Sequence, residues 1–270
     1  MSDFSPPRSR PTWFIQAMFA VHGLALLCVL IKPDLWLWAL GAVITNHLLI
    51  TAVGLWPRSH WLGLNWTRLP EAAAARNEVA LSIDDGPDPR VTPQVLDVLD
   101  RYQTRATFFC IGELAAKYPQ LCREIVLRGH AVENHSQQHC HNFSLLGSAA
   151  YSREIQAAQD TLAGITGQMP MFFRAPAGLR NPFLQPVLAR LGLRLVSWTV
   201  RGFDTRTGQA SKVAARLLAK LRPGAILLLH DGHAALTQAK QPVILEVLPL
   251  VLEAAVNNGL RFVTLREADL

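Results

Sequence analysis

The chain has 270 residues, of which 50% are hydrophobic and 17% charged, and it carries a formal net charge of +6. This length suits one catalytic-sized domain with a short appendage. The modest positive charge fits an anionic membrane surface or an anionic substrate, and no basic run interleaved with aromatics appears, which argues against nucleic acid as a partner.

An N-terminal arm over residues 1–12 leads into two uncharged stretches. The first runs from Trp13 to Ile31, Lys32-Pro33-Asp34 interrupts, and the second runs from Leu35 to Trp56. Each matches the ~20 residues that a helix needs to cross a bilayer. Trp13, Trp36, Trp38, Trp56 and Trp61 cluster at the ends, where an aromatic belt sits. His22, Asn46 and His47 are polar intrusions expected to pack between the two helices. A cleaved signal peptide competes for the first stretch, but a second span follows at once and no small-residue cleavage site precedes it. A soluble hairpin would have almost no polar face. The expectation is a transmembrane hairpin over residues 13–56 that anchors the protein to membrane lipid, in a bacterial inner membrane. Arg8 and Arg10 precede the hairpin and Arg58 and Arg68 follow it, so the positive-inside tendency leans towards a cytoplasmic domain. Residues 57–76, with Pro70 and an Ala run, read as a linker.

From residue 77 to 270, apolar or β-rich runs appear at 79–84, 106–111, 130–134, 171–174, 194–199, 225–230 and 261–264. Helical patterns lie between most of them, at 92–102, 113–128, 148–163, 211–220 and 243–257. Strands alternating with helices predict an α/β fold with a parallel sheet or barrel. Seven strands fit an incomplete (β/α)7 barrel. Cys28, Cys110, Cys122 and Cys140 include no CxxC pair, which argues against a zinc finger or thioredoxin-like site. Free buried thiols are expected, with Cys110 and Cys122 able to bridge only if the fold brings them together.

The first predicted strand ends in Asp84-Asp85 followed by Gly86-Pro87. Such residues are common in turns, but two adjacent carboxylates at the end of a buried strand repel each other, and a bound cation relieves that cost. The other polar residues fall at equivalent places. His135 and His139 follow the third strand, Arg174 ends the fourth, Asp204 follows the fifth and His230 ends the sixth. Residues at the C-terminal ends of barrel strands converge on one rim, where such folds place catalysis. On a helical turn the spacing of His135 and His139 points both imidazoles at one ion. With Asp85 they make a two-His, one-carboxylate set, a common hydrolytic metal site that lowers the pKa of water and polarises a carbonyl. Asp84, left unligated, is the natural base.

Ser82-Ile83-Asp84-Asp85-Gly86-Pro87, His135-Ser136-Gln137-Gln138-His139, Arg174-Ala175-Pro176-Ala177-Gly178 and Leu227-Leu228-Leu229-His230 occur in an order that resembles the polysaccharide deacetylases. These are the NodB-homology proteins of carbohydrate esterase family four, and the resemblance covers roughly residues 77–265. It implies Asp84 as catalytic base, Asp85, His135 and His139 as zinc ligands, and His230 as the acid that protonates the departing amine. It further implies Arg174 as the partner that orients the base and Asp204 as the acid that tunes His230. Pro176, Ala177, Trp198, Leu228 and Leu229 are implied in substrate binding, with the two leucines as a wall for the acyl methyl group. The Ala177 N–H is placed to help stabilise the oxyanion. The ligand set also accepts Co2+ or Ni2+.

Three positions depart from the pattern. Ala177 replaces a Tyr, Arg201 stands where the fourth motif usually has an acid, and Thr205 replaces a Trp. They touch the substrate groove and leave open whether the substrate is a polymeric, small or lipid-linked glycan. The expected activity is N-deacetylation of amino sugars. A silent carbohydrate-binding pseudoenzyme, or a same-fold hydrolase of a non-sugar amide or O-acetyl ester, is the alternative.

Overall fold

The computed structural model describes residues 10–270, so Arg8 and most of the N-terminal arm lie outside the described residues. Eight parallel strands lie between residues 78 and 262. They are β1 (Glu78–Gly86), β2 (Thr107–Cys110), β3 (Ala131–Asn134), β4 (Phe172–Phe173), β5 (Arg194–Leu195), β6 (Val200–Arg201), β7 (Ile226–His230) and β8 (Arg261–Phe262). The sheet order is β5-β4-β3-β2-β1-β7-β6, with β8 pairing the start of β1. Nothing pairs β5 directly with β6, so the barrel is open at that seam, as the incomplete-barrel expectation has it.

β1 is central and buried along its whole length. Its two-residue alternation sorts side chains between two layers. Val79, Leu81 and Ile83 face the surrounding helices with Leu227 and Leu229 of β7, in the largest apolar cluster. Ala80 joins Phe109, Phe172, Val196 and Ile226 in a second cluster that fills the base of the barrel. Ser82 and Asp84 continue that inner row upward, so the barrel interior turns polar towards the C-terminal ends of its strands.

The run expected as one strand over 194–199 splits in two. β5 and β6 lie at opposite ends of the sheet, and the residues between them cross the seam. The seam is strapped from outside the barrel sequence. Trp66 bridges to Val196 and Arg68 to Ala225, while the Thr199 hydroxyl donates to Thr67 O at 2.7 Å. Residues 57–76, expected to be a linker, are thus partly built into the barrel wall. The helix expected over 113–128 is also two, Gly112–Lys117 and Pro119–Leu127, because Pro119 has no N–H to continue the first.

At the N-terminus, α1 (Trp13–Ile31) and α2 (Trp36–Gly54) form an antiparallel pair joined by a 3-10 turn at Pro33–Leu35. Nineteen residues give each helix about 28 Å, close to the ~30 Å hydrocarbon thickness. Leu24, Leu26, Leu30, Leu37 and Leu48 are among many apolar side chains left exposed on the pair. The polar intrusions meet between the helices. Asn46 Nδ2 lies 2.9 Å from His22 Nδ1, and the His22 and His47 Nε2 atoms are 3.3 Å apart. Cys110 and Cys122 are free and buried.

The hairpin is fastened to the barrel. The Arg180 backbone N–H donates to Gly54 O at 3.2 Å, and its guanidinium donates to Ser59 O. A side chain at Gly54 would collide with the Arg180 carbonyl, so this approach requires glycine. Pro57 O accepts from the Ser197 hydroxyl at 2.7 Å, three residues beyond the end of α2.

Candidate active site and metal centre

Asp84 pairs in register with Phe109 of β2 and His230 of β7, which aims its side chain into the barrel mouth. Simple alternation would turn Asp85 the opposite way. Instead the register slips between Asp84 and Gly86, and Asp85 adopts a left-handed φ of 72°. Such a bulge re-aims a side chain, and here it brings both carboxylates to one rim.

His135 and His139 follow β3 in a loop rather than on a helical turn. Their convergence comes from left-handed backbone at Ser136 (φ 66°) and His139 (φ 51°). Buried Asn134 holds this strained loop: its Oδ1 accepts from Ser136 N, and its Nδ2 donates to Ile155 O and Gln159 Oε1. Residues kept in sparsely populated conformations need such support, and they concentrate at functional sites.

Asp85 Oδ1 lies 3.2 Å from the Nε2 atoms of both His135 and His139. One ligand atom from each of the three residues lies within 4.8 Å of the others. His135 Nδ1 is 2.8 Å from Arg174 O, a contact that turns its Nε2 to the centre. Burial opposes the charge on Asp85, but bonds from His135 and His233 outweigh it and hold the carboxyl well below its ordinary range. Burial and the neighbouring His135 push His139 down to about 4, leaving a neutral imidazole. An anionic oxygen and two imidazole nitrogens turned to one point fit a divalent ion, zinc included.

Asp84 is bound to Arg174, whose Nη1 donates to Oδ1 at 2.6 Å. Arg174 is wholly buried and also donates to Ser82 Oγ, Val196 O and Ser197 O, with its guanidinium 4.1 Å from the Phe109 ring centre. Asp84 Oδ2 points instead towards the His2Asp cluster, 3.9 Å from His135 Nε2.

On β7, His230 Nδ1 is 3.0 Å from Asp204 Oδ1, and the other Asp204 oxygen accepts from His230 N at 2.7 Å. Burial works against the imidazolium, yet the bond to Asp204 and the fields of Asp84 and Asp85 raise its pKa above the ordinary value.

These groups open on a cavity of about 260 Å3. Ala177, Trp198 and Leu228 line it with Asp84, Asp85, His135, His139 and His230, while Asp204 stands behind His230. Two residues expected in substrate binding do not. Leu229 follows Leu228 along β7 and so points into the outer apolar cluster. Pro176 is buried and opens the turn that presents Ala177. Two lining residues, His233 and His141, carried no clear signal in the sequence. His233 Nδ1 lies 3.5 Å from Asp85 Oδ2, and Thr205 and Arg201, the departures expected to touch the groove, complete the mouth. Ser82 supports Arg174 from the strand position two before the base; only its place in the first motif marked it.

Residues 71–196 match the family model described as polysaccharide deacetylase. A chitooligosaccharide deacetylase of a Bradyrhizobium species is 38% identical over 156 residues, spanning 57% of this chain and 71% of the relative. A peptidoglycan-N-acetylglucosamine deacetylase of Bacillus cereus is 29% identical over 214 residues, 77% of this chain and 75% of the relative. Among solved structures, the family 4 carbohydrate esterase from Streptomyces lividans in complex with acetate superposes with a TM-score of 0.62 at 33% identity. That likeness covers 68% of this chain and 91% of the esterase. Shared barrel, shared motifs and extended sequence identity together make this chain a member of the polysaccharide deacetylase family.

Proposed function

We propose that the protein is a metal-dependent hydrolase that removes acetyl groups from the amino sugars of a glycan or lipid-linked glycan. The observation that carries this reading is the meeting, in one small cavity, of a His2Asp metal centre with a carboxylate base and a raised-pKa histidine. The relatives named as chitooligosaccharide and peptidoglycan deacetylases support the substrate class.

Asp85, His135 and His139 would hold the ion, with zinc the best match and Co2+ or Ni2+ acceptable. The ion would supply Lewis acidity to the acetyl carbonyl and acidify the attacking water. Asp84 Oδ2 takes the proton from that water, while Arg174 holds Oδ1 and keeps the carboxylate aimed. Addition of the hydroxyl to the amide carbon develops negative charge on the carbonyl oxygen, and the Ala177 N–H is proposed to donate to it. The sugar nitrogen leaves as an amine only when protonated. His230 Nε2 delivers that proton, since its Nδ1 is committed to Asp204. The products are acetate and a free amino sugar.

The apolar hairpin is proposed as a membrane anchor, with two spans of adequate length and exposed Trp13, Trp36, Trp38 and Trp56 near their ends. Its arginine flanks favour a cytoplasmic domain. Retention of the base, all three ligands and the acid weighs against a silent pseudoenzyme.

Acetate release from N-acetylglucosamine oligomers by purified protein, with and without chelator and beside Asp84→Asn, tests the reading. Chelator-sensitive release that disappears in Asp84→Asn supports it. Release from O-acetyl esters alone would overturn N-deacetylation.

A further inference from the structure

Among the described residues, Arg201 is the one arginine or lysine that lines the cavity mouth, and the proposed chemistry does not use it. It sits on β6, beside Leu228 of β7, and its side chain lines the cavity that contains Asp84, Asp85 and His230. Two rings hold it there: its guanidinium carbon is 5.4 Å from the Trp198 ring centre and 4.7 Å from that of Phe203. An arginine stacked in this way is pre-organised, so little freedom is lost when it binds an oxyanion.

Asp204, Asp84 and Asp85 act on its charge from a distance, but none of them pairs with it directly. Asp84 is committed to Arg174 and Asp204 to His230, and among the described residues no carboxylate lies within ion-pair distance of Arg201. Its Nε is out of water and has no hydrogen-bond acceptor. A buried donor without a partner is uncommon in native proteins and calls for one, such as a ligand atom.

We infer that Arg201 is a specificity-determining residue that receives an anionic oxygen group, a phosphate or a carboxylate, carried on the acetylated sugar next to the acetamide being cleaved. This rests on the deacetylase reading and narrows it from amino sugars in general to anionic ones.

The mounting of the cavity favours a phosphate that links the sugar to a membrane lipid. Pro57, three residues past α2, packs against the wall of the cavity: a Cβ on Gly178 would lie 2.6 Å from Pro57 Cβ and 2.7 Å from Trp198. Gly178 and Trp198 both line the cavity. With the hairpin in a bilayer, the mouth is held close to the lipid headgroups. Trp56, Trp61 and Leu64 remain exposed on the same connecting segment, where they can rest in the interface.

The full-length protein in detergent or vesicles is given four substrates. They are methyl N-acetylglucosaminide, N-acetylglucosamine 1-phosphate, N-acetylmuramic acid and a polyprenyl-phosphate-linked N-acetylglucosamine in anionic vesicles. Acetate release by wild type should favour an anionic substrate over the neutral glycoside. Arg201→Gln should lower kcat/KM for that substrate roughly 10- to 100-fold more than for the neutral one, mainly through KM. Preference among the anionic substrates separates a soluble sugar phosphate, a carboxylate and a lipid-linked phosphate. Arg201→Lys, which keeps the charge but loses the fork, should fall between. A wild type that prefers the neutral glycoside, or an equal loss on all four substrates, overturns the inference and leaves deacetylation standing. If no substrate yields acetate, calorimetric binding of the 1-phosphate decides. Binding weakened by Arg201→Gln retains the anion site while the deacetylase reading fails; binding unaffected by the change overturns both.

Discussion

Arg174 and Asp84 form an ion pair of 2.6 Å in which the arginine is wholly out of water. Ser82, Val196 and Ser197 accept three of the four remaining guanidinium protons, which makes the burial tolerable. Removing one partner of a buried pair strands the other, so Arg174→Met should destabilise the fold by about 3–5 kcal/mol. It should also abolish acetate release. Adding Asp84→Asn removes the stranded charge, and the double variant should recover part of the stability but none of the activity. Urea denaturation of the two single variants and the double variant checks this coupling. Additive losses would contradict it.

The metal centre predicts a separation of folding from loading. Its three ligands stand on a rim above an apolar base, and Asn134 holds the histidine loop independently of any ion. His139→Ala should therefore retain most of the melting temperature while bound metal, measured by elemental analysis, falls well below one ion per chain. Chelation of the parent protein should stop acetate release, and Zn2+, Co2+ or Ni2+ should restore it to different extents. A fold that melts on chelation would show the centre to be structural.

Asp204 raises the pKa of His230 against the opposing effect of burial. The acid must be protonated to release the amine, so activity falls as pH rises through its pKa. Replacing Asp204 by Asn removes the largest raising contact and should move this alkaline limb to lower pH. The maximal rate should also drop by roughly 10- to 100-fold as the imidazole loses its orientation. A pH–rate profile measured under subsaturating substrate reads both effects.

A second titration lies far from the chemistry. His130 is buried with Nδ1 accepting from Ala106 N and Nε2 unpartnered, and burial pushes its pKa from 6.5 down to about 4. Between these values the unfolded chain binds a proton that the folded chain lacks. Stability should therefore fall as pH drops from 6.5 towards 4, by up to about 3 kcal/mol, with no further loss from this group below that. His130→Leu should flatten that part of the stability curve, as followed by chemical denaturation across pH.

Much of the site was legible because its residues mark strand ends. Asp84, Arg174 and His230 are polar groups closing apolar runs, a pattern that predicts a common rim without knowledge of loop paths. The manner of convergence was not legible. Asp85 reaches the rim through a bulge and His139 through left-handed backbone, and neither conformation is encoded by a glycine. Leu228 and Leu229 were assigned to one wall because they adjoin in a motif, although strand alternation separates neighbours. The strand over 194–199 read as continuous because Leu195 is apolar and Val196, Trp198 and Thr199 favour β-structure, and only tertiary pairing divides it. Residues 57–76 resemble a linker because Trp66 and Arg68 make isolated bridges, too few to leave a periodic pattern.

That strap separates the order of synthesis from the order of closure. Trp66 and Arg68 leave the ribosome about half a chain length before their partners, Val196 and Ala225. Until then β1 to β4 can assemble, but the edges at the seam stay unpaired and able to recruit strands from other chains. A nascent chain arrested before Ala225 is therefore an aggregation hazard held beside its own N-terminal hairpin. Completing the barrel awaits nearly the whole polypeptide, and the hairpin, made first, waits with the strap it carries.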